Sequence, residues 1–66
     1  MDIKEYAKVS ADVWEVFKKY IKPDADLNTW GDAVHALDEK YKGTAGYKFM
    51  QDLLKVYFQE LVKIKG

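Results

Sequence analysis

Asp24-x-Asp26-x-Asn28, followed by Asp32, is the spacing in this chain that comes nearest to ligand chemistry. Oxygen-bearing side chains at positions 1, 3, 5 and 9 of a loop between two helices begin an EF-hand-like cradle, where hard oxygens replace the water around a calcium ion. Two residues depart from that pattern. Thr29 stands where the sharp turn needs glycine, and His35 stands where a bidentate glutamate should close the shell. The competing reading is a helix-capping turn, because carboxylates also suit the positive end of a helix. The departures favour the turn, so no metal site is expected. Asp24, Asp26, Asn28 and Asp32 stand as cation ligands in the alternative reading only.

His35 is the single histidine, and a helical wheel sets it on a polar side with Asp38 and Glu39. An imidazole beside carboxylates can act as a general base or a metal ligand. Catalysis also needs a nucleophile, an oxyanion donor and a pocket that excludes water. No serine or cysteine lies in sequence reach, so His35 reads as a solvated surface residue and no enzyme is expected. Glu60 is the one charge inside the apolar arc of the last helical segment, near Phe49 and Leu53 on the wheel. A buried lone carboxylate would be costly. Its place near the chain end points instead to a partly exposed residue paired with a lysine.

Composition narrows the function classes further. The 66 residues carry eleven basic and eleven acidic side chains, and every basic one is lysine. Without arginine the chain lacks the planar fork used for phosphate and base-edge recognition, and a neutral chain lacks the field that draws nucleic acid. No nucleic-acid partner is expected. The absence of cysteine removes disulfides, thiolate metal sites and thiol catalysis, and no cofactor motif is present. No apolar run approaches the roughly 20 residues needed to cross a bilayer, and the charges in Met1–Asp2–Ile3–Lys4–Glu5 interrupt any signal-peptide core. The expectation is a cytoplasmic protein without a membrane partner.

The elements that must position these residues are helices. From about Ile3 to Lys22 the apolar side chains fill roughly half the wheel, an arc wide enough to face two neighbouring helices. Pro23 ends that segment. A second helix is expected over about 29–42, with Thr29-x-x-Asp32 as a capping box or Asn28 as the cap. Its stripe is narrow: Trp30, Ala33, Val34, Leu37 and Tyr41. Gly43 closes it as a C-terminal glycine does. Thr44 is positioned to cap a third helix over about 45–64, apolar over more than half its circumference. Short connections favour antiparallel neighbours. The expected fold is therefore all-α, an up-down-up three-helix bundle with the third helix central, in one domain over 1–66.

A domain of this size buries only about 60 % of its unfolded surface and needs unusually good packing or association to be stable. Ten aromatics supply the packing. The third helix also carries a surplus, because Val62 falls beyond one edge of its arc, next to Phe58 and Tyr47. An uncovered strip of this kind is how a dimer seam or docking surface shows in sequence. Tyr47, Phe58 and Val62 are therefore the candidate partner-binding residues, for self-association or for a protein partner. The alternative is that the loop around Leu27 and the N-terminal turn cover the strip.

The series Trp14-x-x-Phe17-x-x-Tyr20, then Trp30, Lys40–Tyr41, and Phe49-x-x-x-Leu53-x-x-x-Tyr57-x-x-Glu60–Leu61 resembles a set of small helical proteins. These are encoded in phages and prophages of low-GC Gram-positive bacteria. The resemblance covers most of the chain and implies a three-helix fold and a bacterial cytoplasm. Gly31 stands where a second tryptophan is expected beside Trp30, and the resemblance carries over no catalytic residue.

Overall fold

The computed structural model describes residues 2–66 and consists of three helices: α1 (Ile3–Tyr20), α2 (Trp30–Tyr41) and α3 (Tyr47–Lys65). A single 3-10 turn, Leu27–Thr29, leads into α2. α1 and α3 run parallel, since Tyr6 meets Phe49 at one end and Phe17 stacks on Tyr57 further along. α2 runs antiparallel to both: its start packs Trp30 on Tyr20 and its end reaches Asp12. α3 packs against both other helices, while α1 and α2 meet each other less extensively. This is the up-down-up bundle with a central third helix.

Each helix contributes one stripe to a common core, at steps of three and four residues that return side chains to one face. α1 supplies Val9, Val13 and Phe17, α2 supplies Trp30, Leu37 and Tyr41, and α3 supplies Met50, Leu54 and Leu61. Val9, Val13, Met50 and Leu61 are sealed from solvent. Among the described residues no polar or charged residue is buried. The core is held mainly by hydrophobic burial and aromatic packing.

α1 begins at Ile3 as expected, while other helix ends differ for local reasons. α1 stops at Tyr20, two residues before Lys22, with Ile21 donating the last helical bond to Phe17. Pro23 has no N–H to continue the ladder, and its ring disfavours helical geometry at the residue before it. The capping box at Thr29 does not form. Asp26 takes the capping role, its carboxylate accepting the Asn28 N–H at 2.9 Å and starting the 3-10 turn. The Thr29 hydroxyl is already occupied, donating back to the Asp26 carbonyl and bonding the Tyr20 hydroxyl at 2.7 Å. Thr44 likewise donates to the Tyr41 carbonyl rather than capping α3, which begins at Tyr47.

Gly43 does close α2, but through a type II turn. Lys42 is at φ −54°, ψ 128°, Gly43 is at φ +79°, and Thr44 donates its N–H to the Tyr41 carbonyl at 2.9 Å. That turn needs a left-handed residue at its third position, which glycine adopts without strain.

Candidate functional site

The polar constellation that ties two helices together was not visible in the sequence. Asp12 on α1 accepts hydrogen bonds on one carboxylate oxygen from both Lys40, at 2.7 Å, and the Tyr41 hydroxyl. Burial alone would raise the Asp12 pKa, but the hydrogen bonds from Lys40 and Tyr41 and the charges of Lys40 and Lys8 outweigh it and hold the group below its usual 3.8. The Tyr41 hydroxyl is pushed up to about 12, by burial first and then by the Asp12 carboxylate. Nothing in the spacing of residues 28 and 29 positions apart announces such a pair. The arrangement holds a proton firmly on Tyr41 and a charge on Asp12, which suits a strut between helices. A general base would need the opposite tuning.

The loop singled out for cation chemistry is arranged as a turn. Asp26 is committed to the Asn28 N–H, and Asp24, Asn28 and Asp32 are exposed. Among the described residues no three His, Cys, Asp or Glu side chains converge on a common point. The loop is instead clasped from α3, where the Lys65 ammonium donates to the Lys22 carbonyl at 2.8 Å and to the Ala25 carbonyl at 3.0 Å. His35 is largely exposed and lies 4.0 Å from Glu39. Glu60 is half-exposed and pairs with Lys63 at 3.4 Å, the arrangement anticipated from its place near the chain end.

The surface apolar residues are the remaining candidates, and they fall on the two open flanks of α3. Toward α2, the ring of Phe58 lies 5.7 Å from Trp30. There Trp30, Val34, Leu54 and Phe58 floor a groove of about 480 Å³ between α2 and α3. Asp38, Lys48 and Lys55 stand on its walls, and one Asp38 carboxylate oxygen is shut off from solvent with no hydrogen-bond partner. Of the three anticipated contact residues, Phe58 is 39 % exposed and Val62 48 % exposed, while Tyr47 is half-buried and packs on the core. Leu27 is also drawn onto the core.

The second flank is larger and escaped the sequence reading. Ile3, Tyr6, Trp14 and Ile21 of the α1 segment and Val56 and Ile64 of α3 are all exposed. The Tyr6–Phe49 and Phe17–Tyr57 contacts, and the juxtaposition of Ile21 with Ile64, trace the seam that joins them. Trp14, part of the wide apolar arc of α1, is 48 % exposed, its ring tilted against Phe17 with centroids 5.7 Å apart. The wide arc of α1 does reach both neighbours. Its outer edge, however, extends past α3 and stays open. The signal was present in the width of that arc, but the wheel cannot tell which edge a neighbour leaves uncovered.

No helix among the described residues is long and apolar enough to cross a membrane. No family model, curated protein or solved structure matches the chain.

Proposed function

We propose that this chain works by contact, as a small interaction module that presents apolar and aromatic surface to a protein partner. One observation carries the reading: among the described residues eight large apolar side chains are exposed, six of them on the α1 segment and α3 along the flank these share, and the other two, Phe58 and Val62, one turn apart on α3 toward α2. Single exposed apolar residues are ordinary on any protein, whereas contiguous ones mark surfaces that are covered in use. Half-exposed aromatics such as Trp14 and Tyr6 fit this role, since tryptophan and tyrosine are favoured at interface centres. The resemblance to small phage and prophage proteins supports placing this action in a bacterial cytoplasm.

The test is photo-crosslinking in cells that naturally carry the protein. A photoreactive phenylalanine replaces Trp14, Val56, Phe58 or Val62 in turn, with Lys19 and His35 as controls on polar surface. Adducts are expected from the apolar positions and not from the controls. Equal or absent adducts at all six positions would contradict a contact role.

A further inference from the structure

The open α1–α3 flank can be assigned an occupant. We propose that it is covered by a second copy of this chain, the two α1–α3 pairs packing face to face into a four-helix layer. This rests on the contact reading above and names its partner.

Area is the first argument. Ile3, Tyr6, Trp14, Ile21, Val56 and Ile64 are each between 39 % and 82 % exposed. With roughly 200 Å² for a large side chain, they leave on the order of 600 Å² open per copy. A stable interface takes roughly 800 Å² from each partner, polar rim included. These six side chains thus supply most of what a dimer needs, and the two flanking rows of polar residues supply a rim.

Pattern is the second. Ile3, Ala7, Ser10 and Trp14 succeed one another at steps of four and three, and Ile21 continues the row beyond Phe17, which is turned into the chain's own core. Phe49, Leu53, Val56 and Glu60 repeat the same steps on α3. That rhythm is the seam of helices packed knobs-into-holes, and Ala7 and Ser10 are small enough to form holes. It calls for a helical occupant, and an identical flank offers the same rhythm in return.

Charge is the third. The chain carries a net charge of zero, so two copies meet without overall repulsion. Phe17 stacks on Tyr57 at 4.5 Å, which sets position 18 of α1 level with positions 58–60 of α3. A two-fold axis parallel to the helices lays the second copy's α1 over α3, parallel and at the same height. Lys18 of the second copy then comes level with Glu60, the one charge in this flank's apolar seam. In the single copy each of these residues has only an exposed neighbour, Glu15 for Lys18 at 3.0 Å and Lys63 for Glu60. Such pairs hold weakly and exchange readily.

Sedimentation equilibrium on the full chain, from low micromolar to near millimolar, tests this. The mass is expected to rise from 7.7 kDa toward twice that value. Trp14→Lys is expected to weaken self-association at least about tenfold, whereas Val62→Lys, on the α2–α3 flank, leaves it unchanged. Circular dichroism checks that helicity is retained, and Val56→Lys, at the outer edge of the same flank, serves as the second variant if Trp14→Lys does not fold. Two results overturn the proposal: a 7.7 kDa species at every concentration, or a dimer that survives both flank variants and is lost with Val62→Lys. In either case crosslinks from the apolar positions to another protein would leave the contact reading standing with a different partner.

Discussion

At the scale of single residues, the Asp12–Tyr41 bond makes stability depend on pH at both extremes. Asp12 titrates below its ordinary 3.8 in the folded chain, so its contribution is present above that value and fades as the pH falls through the lowered one. Tyr41 titrates above its ordinary 10.0, at about 12. Its contribution is whole below 10.0 and fades as the pH rises through 12. The helix-to-helix tie is therefore intact across the broad middle range and fails at each end. In an ultraviolet titration of the phenols, one of the five tyrosines is expected to ionise near pH 12. Asp12→Asn should bring that step back toward 10.0 and lower the melting temperature at neutral pH. The group is partly solvated, so the loss amounts to about 1 kcal/mol. A titration unmoved by Asp12→Asn would show that the bond does not persist in solution. His35 was legible as a surface residue from its polar wheel position, and Glu60, which the wheel sets inside an apolar arc, from its place near the chain end. Asp12 was not, because its partners lie on another helix and no local pattern links them.

At the scale of elements, glycine positions separate backbone conformation from packing. A Cβ at Gly31 or at Gly43 would meet no atom within 4 Å, so neither substitution is decided by collisions. Gly43 has φ +79° and closes a type II turn, and alanine there is expected to cost about 1–2 kcal/mol. Gly31 lies in the first turn of α2 with helical geometry, and alanine there is expected to stabilise by up to about 1 kcal/mol. For a domain this small, each kcal/mol moves the melting temperature by roughly 4–8 °C. Thermal scans of Gly31→Ala and Gly43→Ala should thus shift in opposite directions, and shifts of the same sign would contradict the turn described. The existence, order and core stripes of the helices were readable from apolar periodicity, and Trp30, Leu37 and Tyr41 lie buried where the narrow stripe of α2 set them. The start of α1 at Ile3 was readable, but the cap that leads into α2 was not. Asp26, Asn28 and Thr29 are all competent caps, and which one acts depends on the Thr29 hydroxyl being drawn to Tyr20 and the Asp26 carbonyl.

At the scale of the whole molecule, three helices enclose one core, yet the chain has more apolar circumference than that core can hide. Sequence width revealed the surplus on α3, around Phe58 and Val62. It did not reveal the larger one across Tyr6, Trp14 and Val56, because that flank exists only once α1 and α3 lie parallel with α2 on their other side. A small domain without disulfides gains from covering such surface, and association makes its stability depend on concentration.

The two tryptophans offer the most direct measurement, since Trp30 belongs to the core and Trp14 to the open flank. In the Trp30→Phe variant, emission reports Trp14 alone, and acrylamide quenching measures how much of its ring meets water. Quenching of Trp14 is expected to be strong at low micromolar protein and to fall, with a blue shift, as copies associate. Trp30, followed in Trp14→Phe, should stay shielded throughout. A Trp14 shielded at every dilution, or one that stays equally quenchable at high concentration and with every partner tried, would contradict an open flank that exists to be covered.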